Sequence, residues 1–484
     1  MYSDTPPLQP ITPAYHLDIL RKEQLDQLQS ATLEILEQTG VHCPSEKALH
    51  IYAEHGGQVD FEHQVVRLPR EVVFAAMAHA PRHYTMGARL PAFDLPLDGK
   101  ALYCATDGCG VETIDFVNRQ RRPSRKDDVA AMARVSDYLS AIGFYWPMVS
   151  AQDFPDTAPL HELEASFSNT VKHVQSETVM GAWMANYALE MARVVAGSEY
   201  NLSQRPPLSL LVCAIAPLAQ DKEGLESALT FAGAGLPVGF MSMANTGSTA
   251  PATLAGTLVT GDAEIISALV LMQMAFPGAP VFHSLMPGIM HRRTGAYLGT
   301  AWEGTLLYAA GVELAHRWGV PTLAGVFGTD ALVPGWQSAG DAASSLMLCA
   351  LTGAETGAGL GLVESCTLLY PEALVLDADI YQRVRIEAGG LDTSFDALAL
   401  EVIKQVGPRG HFLAQKHTRI HLRQRQFSEI ASQPHPKGGF RDPLEVARDK
   451  TEWILANHHP QPLEPAQQLE LQRILAAADR ERHQ

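Results

Sequence analysis

The chain has 484 residues, 46% hydrophobic and 18% charged, with a formal net charge of -17. The acidic balance excludes nonspecific nucleic-acid binding, which needs clustered Lys and Arg. Six cysteines with no CxxC pair exclude a disulfide framework and point to reduced, cytoplasmic thiols.

The start, Met1 to Pro13, is polar and Pro-rich, with no basic stretch leading into an apolar one, so no signal peptide is read there. Leu25, Leu28, Ile35 and Leu36 approximate one apolar helix face that Gly40 ends. Ser45 caps a second helix that stops at Gly56-Gly57, Gln58–Leu68 alternates as a hairpin, and Pro69 starts another helix. Residues 1–100 therefore read as a helical layer with a small hairpin.

From about 101 the pattern changes. Eight apolar runs start near Ala101, Ala141, Lys172, Leu208, Pro237, Pro280, Pro321 and Thr356. Helical segments separate them at 125–140, 158–170, 182–196, 221–234, 251–275, 300–318 and 338–352. Three tripeptides mark the beat: Gly235-Leu236-Pro237, Gly278-Ala279-Pro280 and Gly319-Val320-Pro321. Gly tolerates the left-handed turn that ends a helix, and Pro cannot continue it. The apolar run after each reads as a strand buried on both faces. Eight such units predict an α/β fold, a (β/α)8 TIM-type barrel over 101–370. Neither GxGxxG nor GxxxxGK[ST] occurs in the context that would favour a doubly wound sheet. The stretch Ile265–Phe276 is too short to span a bilayer. Residues 371–484 read as a helical extension, with Asp377–Ala388 and Phe395–Gln405 at helical spacing and an amphipathic helix over Gln461–Gln484.

Within the barrel, Gly247-Ser248-Thr249-Ala250-Pro251-Ala252-Thr253-Leu254-Ala255-Gly256-Thr257-Leu258-Val259 resembles a characteristic run of the trimethylamine methyltransferase (MttB) superfamily. Asp262-Ala263-Glu264-Ile265, Gly328-Thr329-Asp330, Gly407-Pro408-Arg409-Gly410-His411-Phe412-Leu413 and His417-Thr418 follow in order. The resemblance spans roughly residues 20–460. It implies the same barrel, and methyl transfer from a methylated amine to Co(I) of a corrinoid. That corrinoid is carried by a separate partner protein, and no metal is bound directly. Founding members carry pyrrolysine. This chain has standard residues only and resembles the branch acting on quaternary amines such as glycine betaine, with a pyrrolysine-equivalent position near Phe327–Pro334. Self-association as a homo-oligomer, and no role for nucleic acid or membrane, complete the expectation. Another methyl donor (tertiary amine or sulfonium), or a non-catalytic role binding betaine or the corrinoid protein, stay as alternatives.

A quaternary ammonium leaves as a neutral amine, so the protein need only bind, orient and polarise. Aromatic faces and carboxylates at the C-terminal ends of the strands suit that cation. Asp330 and Glu177 are the expected catalytic carboxylates. Tyr103, His283, Tyr297, Phe327 and Trp336 are the expected substrate-binding residues, with Asp107, Tyr145, Trp146 and Trp302 also at strand ends or in the loops after them. His283 reads either as a partner for a substrate carboxylate or as a core histidine; Arg292 and Arg293 are other candidates for that carboxylate. His411 and His417 match no zinc helix motif and read as structural or as part of a docking face. Cys104 and Cys109 lack a second pair for a metal site.

Overall fold

The computed structural model describes residues 4–108 and 110–482. Cys109 and the last two residues of the C-terminal helix expected over Gln461–Gln484 lie outside them.

Eight parallel strands form the centre: β1 Tyr103–Thr106, β2 Ile142–Tyr145, β3 His173–Ser176, β4 Leu208–Cys213, β5 Val238–Ser242, β6 Val281–Leu285, β7 Leu323–Gly325 and β8 Thr356–Leu360. Their order is β6-β5-β4-β3-β2-β1-β8-β7. The remaining seam closes through a parallel bridge between His283 and Thr322. There the His283 N–H donates to the Pro321 carbonyl at 2.9 Å, and Thr322 Oγ1 donates to the His283 carbonyl at 3.1 Å. The result is a closed barrel. Helices follow each strand: α1 Lys126–Tyr138, α2 Ala158–Asn169, α3 Ala182–Ala196, α4 Lys222–Gly233, α5 Leu254–Ala275, α6 Gly304–Trp318, α7 Trp336–Leu351 and α8 Ala373–Ala388. The eighth helix lies beyond residue 370, so the barrel extends past the boundary read from the sequence.

The glycines of the three Gly-x-Pro tripeptides have φ of +78°, +88° and +78°. A Cβ at Gly235 or Gly278 would meet nothing within 4 Å. Backbone conformation, not space, therefore requires glycine there. Gly359 is the opposite case. It sits at φ +137° where the β8–β1 register shifts, and a Cβ would fall 1.8 Å from the Val326 carbonyl oxygen on the neighbouring chain segment. Gly359→Ala is expected to cost about 3 kcal/mol or more in stability, since both the conformation and the close approach are lost. Chemical denaturation reads this directly, and an unchanged midpoint would show that the two segments do not meet so closely.

An antiparallel hairpin, Tyr84–Met86 with Leu95–Leu97, plugs the N-terminal end of the barrel. It is pinned by Arg205 to the Asp94 carboxylate and by His173 Nδ1 to the Gly87 carbonyl at 2.6 Å. The opposite end carries the loops that follow the strands. Two small sheets flank it: one joins segments 245–246, 288–290 and 297–298, the other 362–363, 368–369, 112–114 and 121–123.

Residues 22–77 carry short helices and a small antiparallel sheet. Ser45 Oγ caps the helix Glu46–Glu54, and Gln58–Asp60 pairs antiparallel with Val65–Arg67. This layer covers α5. Thr32 Oγ1 donates to Asp262 Oδ2 at 2.7 Å, and the Tyr52 hydroxyl donates to the Ser267 carbonyl at 2.9 Å. With the barrel on one side and this layer on the other, α5 buries apolar residues on both faces, around the buried Asp262 and Glu264. At 22 residues it is also the one helix among the described residues long and apolar enough to cross a membrane, but 72% of its most apolar window is buried in protein.

Candidate active site

In a (β/α)8 barrel the chemistry lies at the C-terminal ends of the strands, where loops can vary without disturbing the barrel. Here that end gathers acidic groups. Asp107 follows β1, Glu177 follows β3, Cys213 ends β4, Tyr297 lies in the loop after β6, Asp330 follows β7 and Cys366 follows β8. They act on one another electrostatically. Burial pushes the Asp107 carboxyl up to about 7, with the Glu177 charge adding to the push against a hydrogen bond from the Gly108 N–H. Burial raises the Cys366 thiol, and then Asp107, Glu177 and Asp330 raise it further. Burial also raises the Tyr297 phenol, helped by Cys366, Asp330 and Asp107. The Cys213 thiol, raised by burial and by Glu177, donates to Glu177 Oε1 at 2.7 Å. For all four groups the neighbouring charges that act on them are negative. Asp377, at the start of α8, belongs to the same end: burial pushes it up to about 7 against a 2.7 Å bond from the Gly361 N–H, and Asp107 adds to the shift.

The aromatic floor is Trp146. It is buried among Phe144, Leu211, Met241 and Phe282 inside the barrel. A Cβ on Gly108 would fall 2.1 Å from its Nε1, so the backbone beside Asp107 lies against the indole. Tyr297 closes one side. Its hydroxyl donates to the Met286 carbonyl at 3.0 Å, and its ring covers Gly288.

The Asp330 carboxylate is occupied by hydrogen bonds from two loops. Oδ1 accepts from the Gly299 N–H at 3.3 Å and from Ser365 Oγ at 2.6 Å. Oδ2 accepts from the Thr300 N–H at 3.1 Å and from its Oγ1 at 2.9 Å. One carboxylate thus ties the loop after β6 to the loop after β8. It is a positioning residue that also adds negative charge to the mouth.

Four of the expected substrate-binding residues stand elsewhere. Tyr103 faces the barrel interior, but at the plugged end, where Asp98 acts on it. It lies four residues below Asp107, or about 13 Å along the strand. His283 points out of the barrel into the helix layer. Its Nε2 contacts Asp262 Oδ1 at 2.9 Å, and both side chains are fully buried. The Trp318 indole N–H joins the same carboxylate. Asp262, in the run that carries the family resemblance, is thus a structural hub. Phe327 has φ +61° and is buried between β7 and the outer helices, with its N–H on Ser345 Oγ. Trp336 begins α7 and is 89% exposed, so it walls no cage within the chain. Phe327 and Trp336 instead line a groove of about 1190 Å³ that follows α8 on the outside of the barrel. Tyr145 packs outward, its hydroxyl on the Val129 carbonyl. Cys104 is buried facing the helices.

Cys213, Cys366, Thr300 and Ser365 were not singled out in the sequence. Cys213 was within reach, being the last residue of a strand already recognised. Cys366 and Ser365 sit at positive φ in an irregular turn, and no periodicity marks them.

The raised Asp107 gives a testable pH dependence. Unfolded, this carboxyl loses its proton near 3.8; folded, it keeps it to about 7. The folded state therefore binds more protons in that window, and this group's contribution to stability is lost as pH rises through about 7. A cation bound beside Asp107 favours the ionised form. Its affinity is expected to rise as pH passes through about 7, and Asp107→Asn to flatten that rise. A profile of KM against pH for both proteins decides it; identical profiles would remove Asp107 from the site.

The fold defines a (β/α)8 barrel with an acidic and aromatic C-terminal end. A family model for trimethylamine methyltransferase (MTTB) matches residues 4–482, and the chain belongs to that family of methyltransferases. Trimethylamine methyltransferase MttB of Desulfitobacterium hafniense (strain DSM 10664 / DCB-2) is 32% identical over 446 residues, 91% of this chain and 90% of that protein. Glycine betaine methyltransferase of Desulfitobacterium hafniense (strain Y51) is 29% identical over 480 residues, 97% of this chain and 98% of that protein. The crystal structure of the Methanosarcina barkeri monomethylamine methyltransferase MtmB shares the fold, with a TM-score of 0.50 at 13% identity over 89% of this chain and 92% of that one.

Proposed function

We propose that the protein moves a methyl group from a quaternary amine, glycine betaine or a close relative, to Co(I) of a corrinoid carried by a separate protein. The observation that carries this reading is the convergence of Asp107, Glu177 and Asp330 on one mouth, where the groups they act on feel negative neighbours. Such a mouth favours a permanent cation. Asp107 and Glu177 attract the ammonium, and Trp146 and Tyr297 offer ring faces worth about 0.5–2 kcal/mol each. The carbon–nitrogen bond breaks with its electron pair staying on nitrogen, so the leaving amine needs no proton. When its carrier is docked, the corrinoid supplies the nucleophile.

The rim suits such a carrier. Trp302, Leu332, Val333 and Trp336, in the segments after β6 and β7, are all exposed. Large apolar groups grouped on a rim favour a protein partner. Trp336 fits this surface better than a substrate cage. With His283 committed to Asp262, the exposed Arg292 and Arg293 in the loop after β6 remain as partners for a betaine carboxylate. A cytoplasmic setting and self-association belong to the same reading.

The test is a methyl-transfer assay with chemically reduced cobalamin, following conversion of Co(I) to methyl-Co(III). Glycine betaine, carnitine, proline betaine, choline, trimethylamine and dimethylsulfoniopropionate are offered separately. Turnover with a quaternary amine and none with trimethylamine is expected. Turnover only with trimethylamine or the sulfonium would replace the donor class. No turnover, even with a cognate corrinoid protein, would favour a binding role.

A further inference from the structure

Between α8 and the helix Pro443–Asn457 the chain forms a lobe without a core of its own. Its three short helices, Phe395–Leu398, Leu400–Val406 and Lys416–Gln424, contain no buried residue. Leu391, Phe395, Leu413, Phe427 and Phe440 are exposed around them. A segment this small that buries so little needs a cross-link or a partner to hold one shape.

A cross-link is available. His417 and His421 are four residues apart on the helix Lys416–Gln424, which puts both rings on one face, one turn apart. Their centroids lie 4.0 Å apart. Asp396, on the first short helix, meets both: its Oδ2 is 3.1 Å from His421 Nε2, and its backbone carbonyl is 3.0 Å from His417 Nε2. One ligand atom from each of the three side chains can be chosen so that all lie within 4.8 Å of one another, and among the described residues no other group of three or more His, Cys, Asp or Glu does so.

We propose that Asp396, His417 and His421 bind one divalent transition-metal ion of the zinc type, which fastens the first helix of the lobe to the third. Two neutral imidazoles and one carboxylate are the borderline nitrogen and oxygen donors that zinc prefers. Bonds of about 2.0–2.2 Å in a tetrahedron give ligand separations of about 3.3–3.6 Å. The 3.1 Å spacing is already close to that, and the wider spacings close by side-chain rotation. The fourth position falls to water, since the His421 side chain is 30% and the Asp396 side chain 78% exposed. Asp392 adds negative charge nearby, its carboxyl held low by hydrogen bonds from Ser394. None of the three ligands is among the groups that act on the mouth carboxylates, so the metal's task is structural. It closes loops of 21 and 25 residues, which lowers the entropy of the open lobe. The sequence reading missed the pair because it set His417 against His411, at a spacing of six, and passed over His421 at four.

The experiment uses the full chain without a histidine tag. The protein is stripped with chelator, equilibrated with micromolar Zn²⁺, freed of unbound metal and assayed for metal content. About one equivalent per chain is expected. Co²⁺ in its place is expected to give the intense visible bands of a four-coordinate site. His421→Gln, which keeps a polar group on the helix, is expected to lose both signals. Limited proteolysis of the wild type is expected to cut within 390–440 faster after chelation, with the barrel unchanged. Failure to take up metal, or uptake that His421→Gln leaves intact, would overturn the proposal and leave a hydrogen-bonded Asp–His contact.

Discussion

Asp330→Ala is expected to lower kcat/KM for methyl transfer about 10³-fold, or about 4 kcal/mol of transition-state stabilisation. The carboxylate accepts four hydrogen bonds, from Gly299, Thr300 twice and Ser365. Alanine removes all four at once and frees both loops. The loop after β6 carries Tyr297 and the loop after β8 carries Cys366, so one side of the mouth loses its form. Asp330→Asn is expected to fall between. Its oxygen can still accept on one side, while its amide meets the N–H donors of Gly299 or Thr300 on the other. Stability is expected to change much less than activity, because the clamp is partly exposed and distant from the barrel core. Steady-state kinetics beside a denaturation curve separates the two. Full activity in the alanine variant would show that the loops hold themselves.

Glu177→Gln is expected to raise KM for a quaternary amine about 10²-fold. A cation at about 5 Å from a carboxylate, in surroundings with an effective dielectric near 20, gains about 3 kcal/mol. Glutamine keeps the shape and can still accept from the Cys213 thiol, so the change removes charge and little else. Asp107→Asn is expected to act in the same direction. The double variant is expected to lose less than the product of the two, because both carboxylates face one cation. A larger loss in kcat than in 1/KM would argue instead that Glu177 works on the reacting bond. No change in either would place the ammonium elsewhere.

The barrel was legible because its punctuation is chemical. Gly235, Gly278 and Gly319 adopt the positive φ that the Gly-x-Pro pattern demands, and each following run became a strand. Ser45 and Pro69 mark helix starts for equally local reasons. The site was legible only in part. Asp107, Glu177 and Asp330 follow strand ends, and position along the chain is enough to put them at the mouth. Facing and depth are not readable in the same way. A strand buried on both sides shows no alternation, so nothing local shows that His283 points outward to Asp262 while Phe282 points inward. Tyr103 faces inward but at the wrong end, an error of depth that four residues of strand produce. Phe327 turns outward because its backbone is left-handed, and no side-chain pattern announces that.

The covering of α5 also bears on how the chain is made. The N-terminal layer meets its partners across 230 residues at Thr32–Asp262 and 215 at Tyr52–Ser267. At about 5–20 residues per second of synthesis, that layer waits about 10–45 s for the helix it covers. When α5 does emerge, it is a free apolar segment as long as a membrane span until the earlier-made layer and β5 close on it. The first eighty residues are thus made long before the helix they cover. A chain lacking them would be expected to go to aggregates or membranes during synthesis, before any question of catalysis arises.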